Sequence, residues 1–332
     1  MILHPGILSL LLSSILVGGM ILYSAACGIS ILRGWDISSG SELQLVLERK
    51  TYLISTILGY LLFFQLISLF LFIYTVDDLC PLFTGAMCAV GTLTVNPFGY
   101  PVLICKTATF ILAGLWLILN HADSNGYDYP LLRAKYRFLL VLAPLVVAEA
   151  VLQGLYFLNL EPDVITSCCG SLFSSGNAGV AAEIASLPAL PMMGAFYSVM
   201  ALTLIAGVWS YRSGKGGWLF PALSGIAFFV STAAVISFVS LYFYELPTHH
   251  CPFCILQKEY HYVGYPLYIF LLAGTVTGLG TGVLKPFRSI ASLSGTLPAL
   301  RKRLTLTSVL CYLLFIAIAS WPILFSSFTL DT

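Results

Sequence analysis

Cys251 and Cys254 stand two residues apart in the run His249–Tyr265, which reads His-His-Cys-Pro-Phe-Cys-Ile-Leu-Gln-Lys-Glu-Tyr-His-Tyr-Val-Gly-Tyr. A C-x-x-C pair at the start of a helix lets both sulfurs meet as a disulfide. It also leaves the first thiol near the helix N-terminus, where the dipole favours a thiolate. The chemistry this points to is thiol–disulfide exchange. If the helix runs on from the pair, Cys254, Lys258, His261 and Tyr265 share one face, spaced by four, three and four. That face carries a redox sulfur, a cation, an imidazole and a phenol.

The elements that position these groups are membrane helices. The chain has 332 residues, of which 59% are hydrophobic and 9% charged, against about 25% charged in a soluble domain. Eight apolar stretches reach the roughly 20 residues a bilayer requires. They lie near 7–32, 52–76, 99–120, 137–159, 192–211, 218–245, 262–284 and 304–328. Lipid leaves backbone groups no partner but each other, so the expected fold is an all-α membrane protein with eight transmembrane helices. The first stretch lacks a basic start and a clear small-residue cleavage site, so it is read as a span rather than a signal peptide.

The basic residues fix the orientation. Arg33, Arg49, Lys50, Arg133, Lys135, Arg137, Arg212, Lys215, Lys285, Arg288, Arg301, Lys302 and Arg303 follow helices 1, 3, 5 and 7, which leaves only Lys106 and Lys258. The positive-inside rule puts those 13 in the cytoplasm and both termini outside. The net charge of +1 carries little by itself, and nothing in the pattern points to nucleic acid. The outer loops are then 77–98, 160–191 and 246–261, and each holds a cysteine pair: Cys80 and Cys88, Cys168 and Cys169, Cys251 and Cys254. That face is the oxidising one in a bacterial cell. Cys27, Cys105 and Cys311 lie within helices and read as small apolar core residues.

A ring closed between adjacent Cys168 and Cys169 is strained and readily reduced. Three readings stand for this pair: a third relay pair, separate bonds to other cysteines such as Cys80 or Cys88, or a soft-metal site, since paired thiolates suit soft cations.

The segment Cys-Pro-Phe-Cys-Ile-Leu-Gln-Lys resembles the signature of the DsbB family of membrane thiol oxidases, with Lys258 where that family has Arg. The first outer loop is similar to that of the vitamin K epoxide reductase (VKOR) family. Cys80 and Cys88 match its C-x7-C, and Phe98, Gly99 and Pro101 match the entry to its next helix. The resemblance implies a four-helix redox bundle and electrons passed to a quinone, ubiquinone or menaquinone. It implies a relay from an extracytoplasmic thioredoxin-like partner through Cys80–Cys88 to Cys251–Cys254, with Cys254 facing the quinone. Gln257, Lys258, His261 and Tyr265 would lie at the quinone. In VKOR the C-x-x-C comes at the fourth helix; here it comes at the seventh. Within a single polytopic domain over 1–332, the bundle is therefore expected from helices near 52–76, 99–120, 218–245 and 262–284. The stretch 121–211, with its Cys168–Cys169 loop, would be an insertion.

Charged groups inside spans default to function or pairing. Lys106 either snorkels outward to lipid headgroups or faces the bundle and holds a quinone carbonyl. Glu149, with Gln153 a turn further on, is either a protonated carboxyl bonded to a neighbouring helix or part of a proton path. His249, His250 and His261 are candidate ligands, read as hydrogen-bonded or solvated histidines.

The expected function is a quinone-coupled thiol:disulfide oxidoreductase of a bacterial inner membrane, its cysteine loops periplasmic. An alternative is a transporter or conduit that captures a soft metal or a thiol compound with external thiols. A third reading makes the outer disulfides purely structural.

Overall fold

A computed structural model describes residues 3–37, 39–162, 164–166, 180–214 and 217–328. Those residues are helical without a strand, and eight of their helices are long and apolar enough to cross a membrane. The chain forms α1 (Pro5–Gly34), α2 (Glu42–Asp78), the short α3 (Ala89–Leu93), α4 (Gly99–Ser124) and α5 (Leu132–Leu158). It continues with the short α6 (Val180–Ala185), α7 (Ala189–Ser213), α8 (Leu219–Tyr244), α9 (Gly264–Val283) and α10 (Leu297–Phe325).

All eight expected spans are present, and their ends differ where polar flanks are helical. The second begins at Glu42, ten residues before the apolar stretch. Its added turns are Glu-Leu-Gln-Leu-Val-Leu-Glu-Arg-Lys, mostly strong helix formers. Ser41 Oγ accepts from Gln44 N at 3.3 Å to start it, and Gln44 Nε2 donates to Glu48 at 2.9 Å.

The chain divides into two compact units: Met1–Thr75 with Asn96–Leu160 and Val283–Leu300, and Val76–Val95 with Glu161–Gly282 and Arg301–Thr332. The boundary falls within α2. Of the four helices the resemblance assigns to one bundle, α2 and α4 lie almost wholly in the first unit, and α8 and α9 lie in the second.

In the first unit, α5 packs against α1 and α4. Its core holds Trp116, Tyr136, Leu58, Leu62 and Leu139. The two lysines buried here are both paired. Lys106 Nζ lies 2.7 Å from Glu149 Oε1 and donates to Ser68 Oγ at 2.7 Å, and Gln65 Nε2 donates to the same Glu149 oxygen at 2.6 Å. Lys106 therefore points into the protein and not outward to headgroups. Gln153 donates to Leu10 O and Ser14 Oγ, tying α5 to α1. Lys135, counted above with the loop charges, is buried against Asp123 at 2.6 Å.

In the second unit, α7 to α10 enclose Phe196, Met200, Phe238, Leu267, Tyr312 and Phe315. Gly278 of α9 has no room for a Cβ: Ser224 of α8 and Ser308 of α10 already occupy that space. Small residues at such crossings let helices approach where lipid offers no hydrophobic drive. Residues Val235–Val239 of α8 form a π turn. Ser240 Oγ takes the Val235 carbonyl at 2.7 Å and His250 Nδ1 lies 3.0 Å from the Ile236 carbonyl, so groups left over by the wider turn find partners.

Candidate functional site

The second unit gathers the loops that charge patterning puts on one side of a membrane. After α2, Cys80–Leu82 makes one 3-10 turn beginning at Cys80-Pro81, and the chain returns to Cys88, which precedes α3. Cys88 is fully buried. Asp77, near the end of α2, accepts from the first amide of α3, Ala89 N, at 3.0 Å. Gly85 has φ of +89° and its missing Cβ would strike the Thr166 carbonyl. Only glycine combines that backbone with so close an approach. Thr166 N in turn donates to Thr84 O at 3.0 Å, so residues 84–85 and Thr166 are held together. Cys168 and Cys169 lie outside the described residues.

The C-x-x-C segment departs from the expected helix. Cys254–Leu256 and Lys258–Tyr260 are separate 3-10 turns, with extended Gln257 between them at ψ 163°. His261 and Tyr262 then take positive φ values of 53° and 56°, and α9 begins only at Gly264. Cys254, Lys258, His261 and Tyr265 therefore do not share a helix face, and no helix N-terminus stands at Cys251 to favour its thiolate. Lys258 and His261 are exposed, and Tyr265 is half-buried at the start of α9.

Side chains from the flanking helices hold the segment instead. Tyr244, the last residue of α8, donates to Cys251 O and accepts from Ile255 N at 2.9 Å. Tyr268 of α9 donates to Pro252 O at 2.6 Å. Burial, and then the nearby Cys254 and Glu259, push the Tyr260 phenol above its ordinary pKa, so it stays protonated at neutral pH.

This scaffold brings Cys88 of one predicted pair against both cysteines of another. Cys88 Sγ lies 3.7 Å from Cys251 Sγ, and the sulfurs of Cys88, Cys251 and Cys254 are all within 4.8 Å of one another. Their residues are 0%, 1% and 6% exposed. His249 Nε2 is 3.4 Å from Cys254 Sγ, and its ring stands edge-on to Tyr244 at 4.6 Å. Cys80 is half-buried at the base of the same loop. Gln257 Nε2 donates to Asp77 Oδ1 at 3.3 Å and to Met87 O at 2.9 Å, bridging the C-x-x-C segment to the chain around Cys88.

Three groups at this site had no assigned role in the sequence: Asp77, Tyr244 and Tyr268. Asp77 stood in plain view, three residues before Cys80. The two tyrosines carry no signal, since a phenol at a helix end reads equally well as an interfacial anchor. His249 has an assigned place only now, beside Cys254.

Comparison of the chain with protein-family models, with curated proteins and with solved structures finds no match.

Proposed function

We propose that the protein is a membrane thiol:disulfide oxidoreductase that passes two electrons from an extracytoplasmic dithiol to a quinone. The observation that carries this reading is the buried 3.7 Å approach of Cys88 Sγ to Cys251 Sγ. Exchange needs the attacking sulfur against the disulfide sulfur it displaces, and the second cysteine of one pair here faces the first of the other.

The relay balances as follows. A thioredoxin-like partner, its dithiol oxidised, reduces the Cys80–Cys88 disulfide to two thiols. The Cys88 thiolate attacks Cys251 of the Cys251–Cys254 disulfide, forming the Cys88–Cys251 bond and releasing Cys254 as thiolate. Cys80 then attacks Cys88, restoring Cys80–Cys88 and freeing Cys251. The net change is one partner dithiol oxidised and one Cys251–Cys254 disulfide reduced, and His249 is placed to take or return the Cys254 proton. Gln257, Asp77 and Tyr244 position the two segments.

Cys254, packed among apolar residues beside His249, is the sulfur that would face the quinone, without the helix face of Lys258, His261 and Tyr265 expected from their spacing. Gln257 is engaged with Asp77 and Met87, and Lys106 with Glu149. A bound quinone would supply the two-electron acceptor that re-forms the Cys251–Cys254 disulfide. The sorting of basic residues supports placing the cysteine loops on the periplasmic side of a bacterial inner membrane, with both termini outward.

The test is turnover. Purified protein given a reduced thioredoxin-like dithiol and a ubiquinone or menaquinone analogue is expected to reduce the analogue, and Cys254→Ser to abolish it. Unchanged turnover in that variant overturns the proposal.

A further inference from the structure

We infer that the reduced protein holds a soft d10 cation, of the class of Zn²⁺, Cd²⁺ or Cu⁺, on Cys88, Cys251 and Cys254. His249 is the available fourth donor. This goes beyond electron transfer and does not depend on a quinone or a partner protein.

The geometry is that of a thiolate site. A tetrahedral site with metal–sulfur bonds of about 2.3 Å has sulfur–sulfur edges of about 3.8 Å. The Cys88–Cys251 separation is 3.7 Å, and the third sulfur lies within 4.8 Å of both. A mixed nitrogen–sulfur edge at such a centre is about 3.5 Å, and His249 Nε2 stands 3.4 Å from Cys254 Sγ. His249 meets Cys254 from outside the trio, so it completes the set by turning its ring inward. The three sulfurs come from two segments, 77–95 and 246–263, already clamped by Gln257 and Asp77. They are therefore pre-organised, and they are shielded from water, where soft ligands select soft cations. Binding would displace the thiol protons to solvent and leave the metal's oxidation state unchanged. It would also tie Cys88 to both members of the C-x-x-C pair, stopping the relay until the cation is removed.

The full chain, reduced and freed of reductant under anaerobic conditions, is titrated with Cd²⁺ in a Cys168→Ser/Cys169→Ser background. The readouts are the ultraviolet thiolate-to-cadmium charge-transfer band and ¹¹³Cd NMR. The expected result is one Cd²⁺ per chain with a shift typical of three sulfur ligands. Cys88→Ser and Cys254→Ser, on separate segments, are each expected to weaken binding by more than the ~10–100-fold typical of losing an outer-shell partner. His249→Ala is expected to weaken it less than either serine variant, since the three soft thiolates remain. Oxidising the unsubstituted cysteines to the Cys80–Cys88 and Cys251–Cys254 disulfides is expected to abolish binding without any change in fold. No Cd²⁺ taken up by the reduced chain overturns the inference, as does undiminished binding in either serine variant or after oxidation. Quinone turnover enters none of these readings, so this proposal and the relay fail separately.

Discussion

Gln257 and Asp77 are joined side chain to side chain, Nε2 to Oδ1 at 3.3 Å, across 180 residues of sequence. The same nitrogen reaches Met87 O, and the same oxygen receives Ala89 N. Two side chains thus brace the peptides on either side of Cys88 while Gln257 stands three residues from Cys254. Their arrangement bears on which step each residue serves.

Gln257→Ala removes the bridge and leaves Asp77 with the Ala89 amide alone. The two lost hydrogen bonds, to Asp77 and to Met87 O, at about 1 kcal/mol each correspond to a roughly 30-fold slower exchange between Cys88 and Cys251. The KM for a quinone analogue is expected to stay unchanged. Gln257→Glu sets a carboxylate against Asp77 and is expected to be slower still, recovering as the pH is lowered and one carboxyl is protonated. Stopped-flow thiol exchange, run beside steady-state quinone kinetics, makes the measurement. A raised KM with normal exchange would return Gln257 to the quinone site that the resemblance implies.

Lys106 and Glu149 form a buried pair in the first unit, each about 1% exposed. Removing one partner leaves the other charge uncompensated, so Lys106→Met is expected to cost about 3–5 kcal/mol of stability. Lys106→Met with Glu149→Leu is expected to recover most of it, because two apolar residues can replace a buried pair at little cost. Thermal unfolding in detergent reads both. A stable Lys106→Met variant with a raised quinone KM would make Lys106 a ligand instead of a structural cation.

Gly85→Ala is expected to loosen the link between residues 84–85 and Thr166. An L side chain in the left-handed region costs about 1–2 kcal/mol, and the Thr166 carbonyl adds a clash. Hydrogen exchange at the Thr166 amide is expected to rise, with α7 to α10 as protected as before. Unchanged protection at Thr166 would show that the contact bears no load.

The helices were legible because lipid-spanning segments announce themselves by length and apolarity, and all eight appear. Charge sorting only grouped the loops of Cys88 and Cys251, and the relay between their pairs was implied by the resemblance; that Cys88 in particular meets Cys251 was not legible. The conformation at 251–263 was not legible. Apolar residues after Cys254 read as helix, yet His261 and Tyr262 adopt backbone angles usually left to glycine or asparagine. The Lys106–Glu149 pair spans 43 residues between separate helices, and a single sequence carries no register between them. The division of the chain within α2 was equally hidden, since the hydropathy of that helix is continuous across the boundary.

The central claim is that Cys88 and Cys251 are the sulfurs that exchange. A Cys80→Ser/Cys254→Ser variant removes both resolving thiols, so any bond formed between the two segments persists. Mild oxidation of this variant, followed by proteolysis and mass spectrometry without reductant, is expected to give the Cys88–Cys251 peptide pair as the dominant disulfide. If both cysteines stay as thiols, or if Cys251 couples instead to Cys168 or Cys169, the relay described here is wrong.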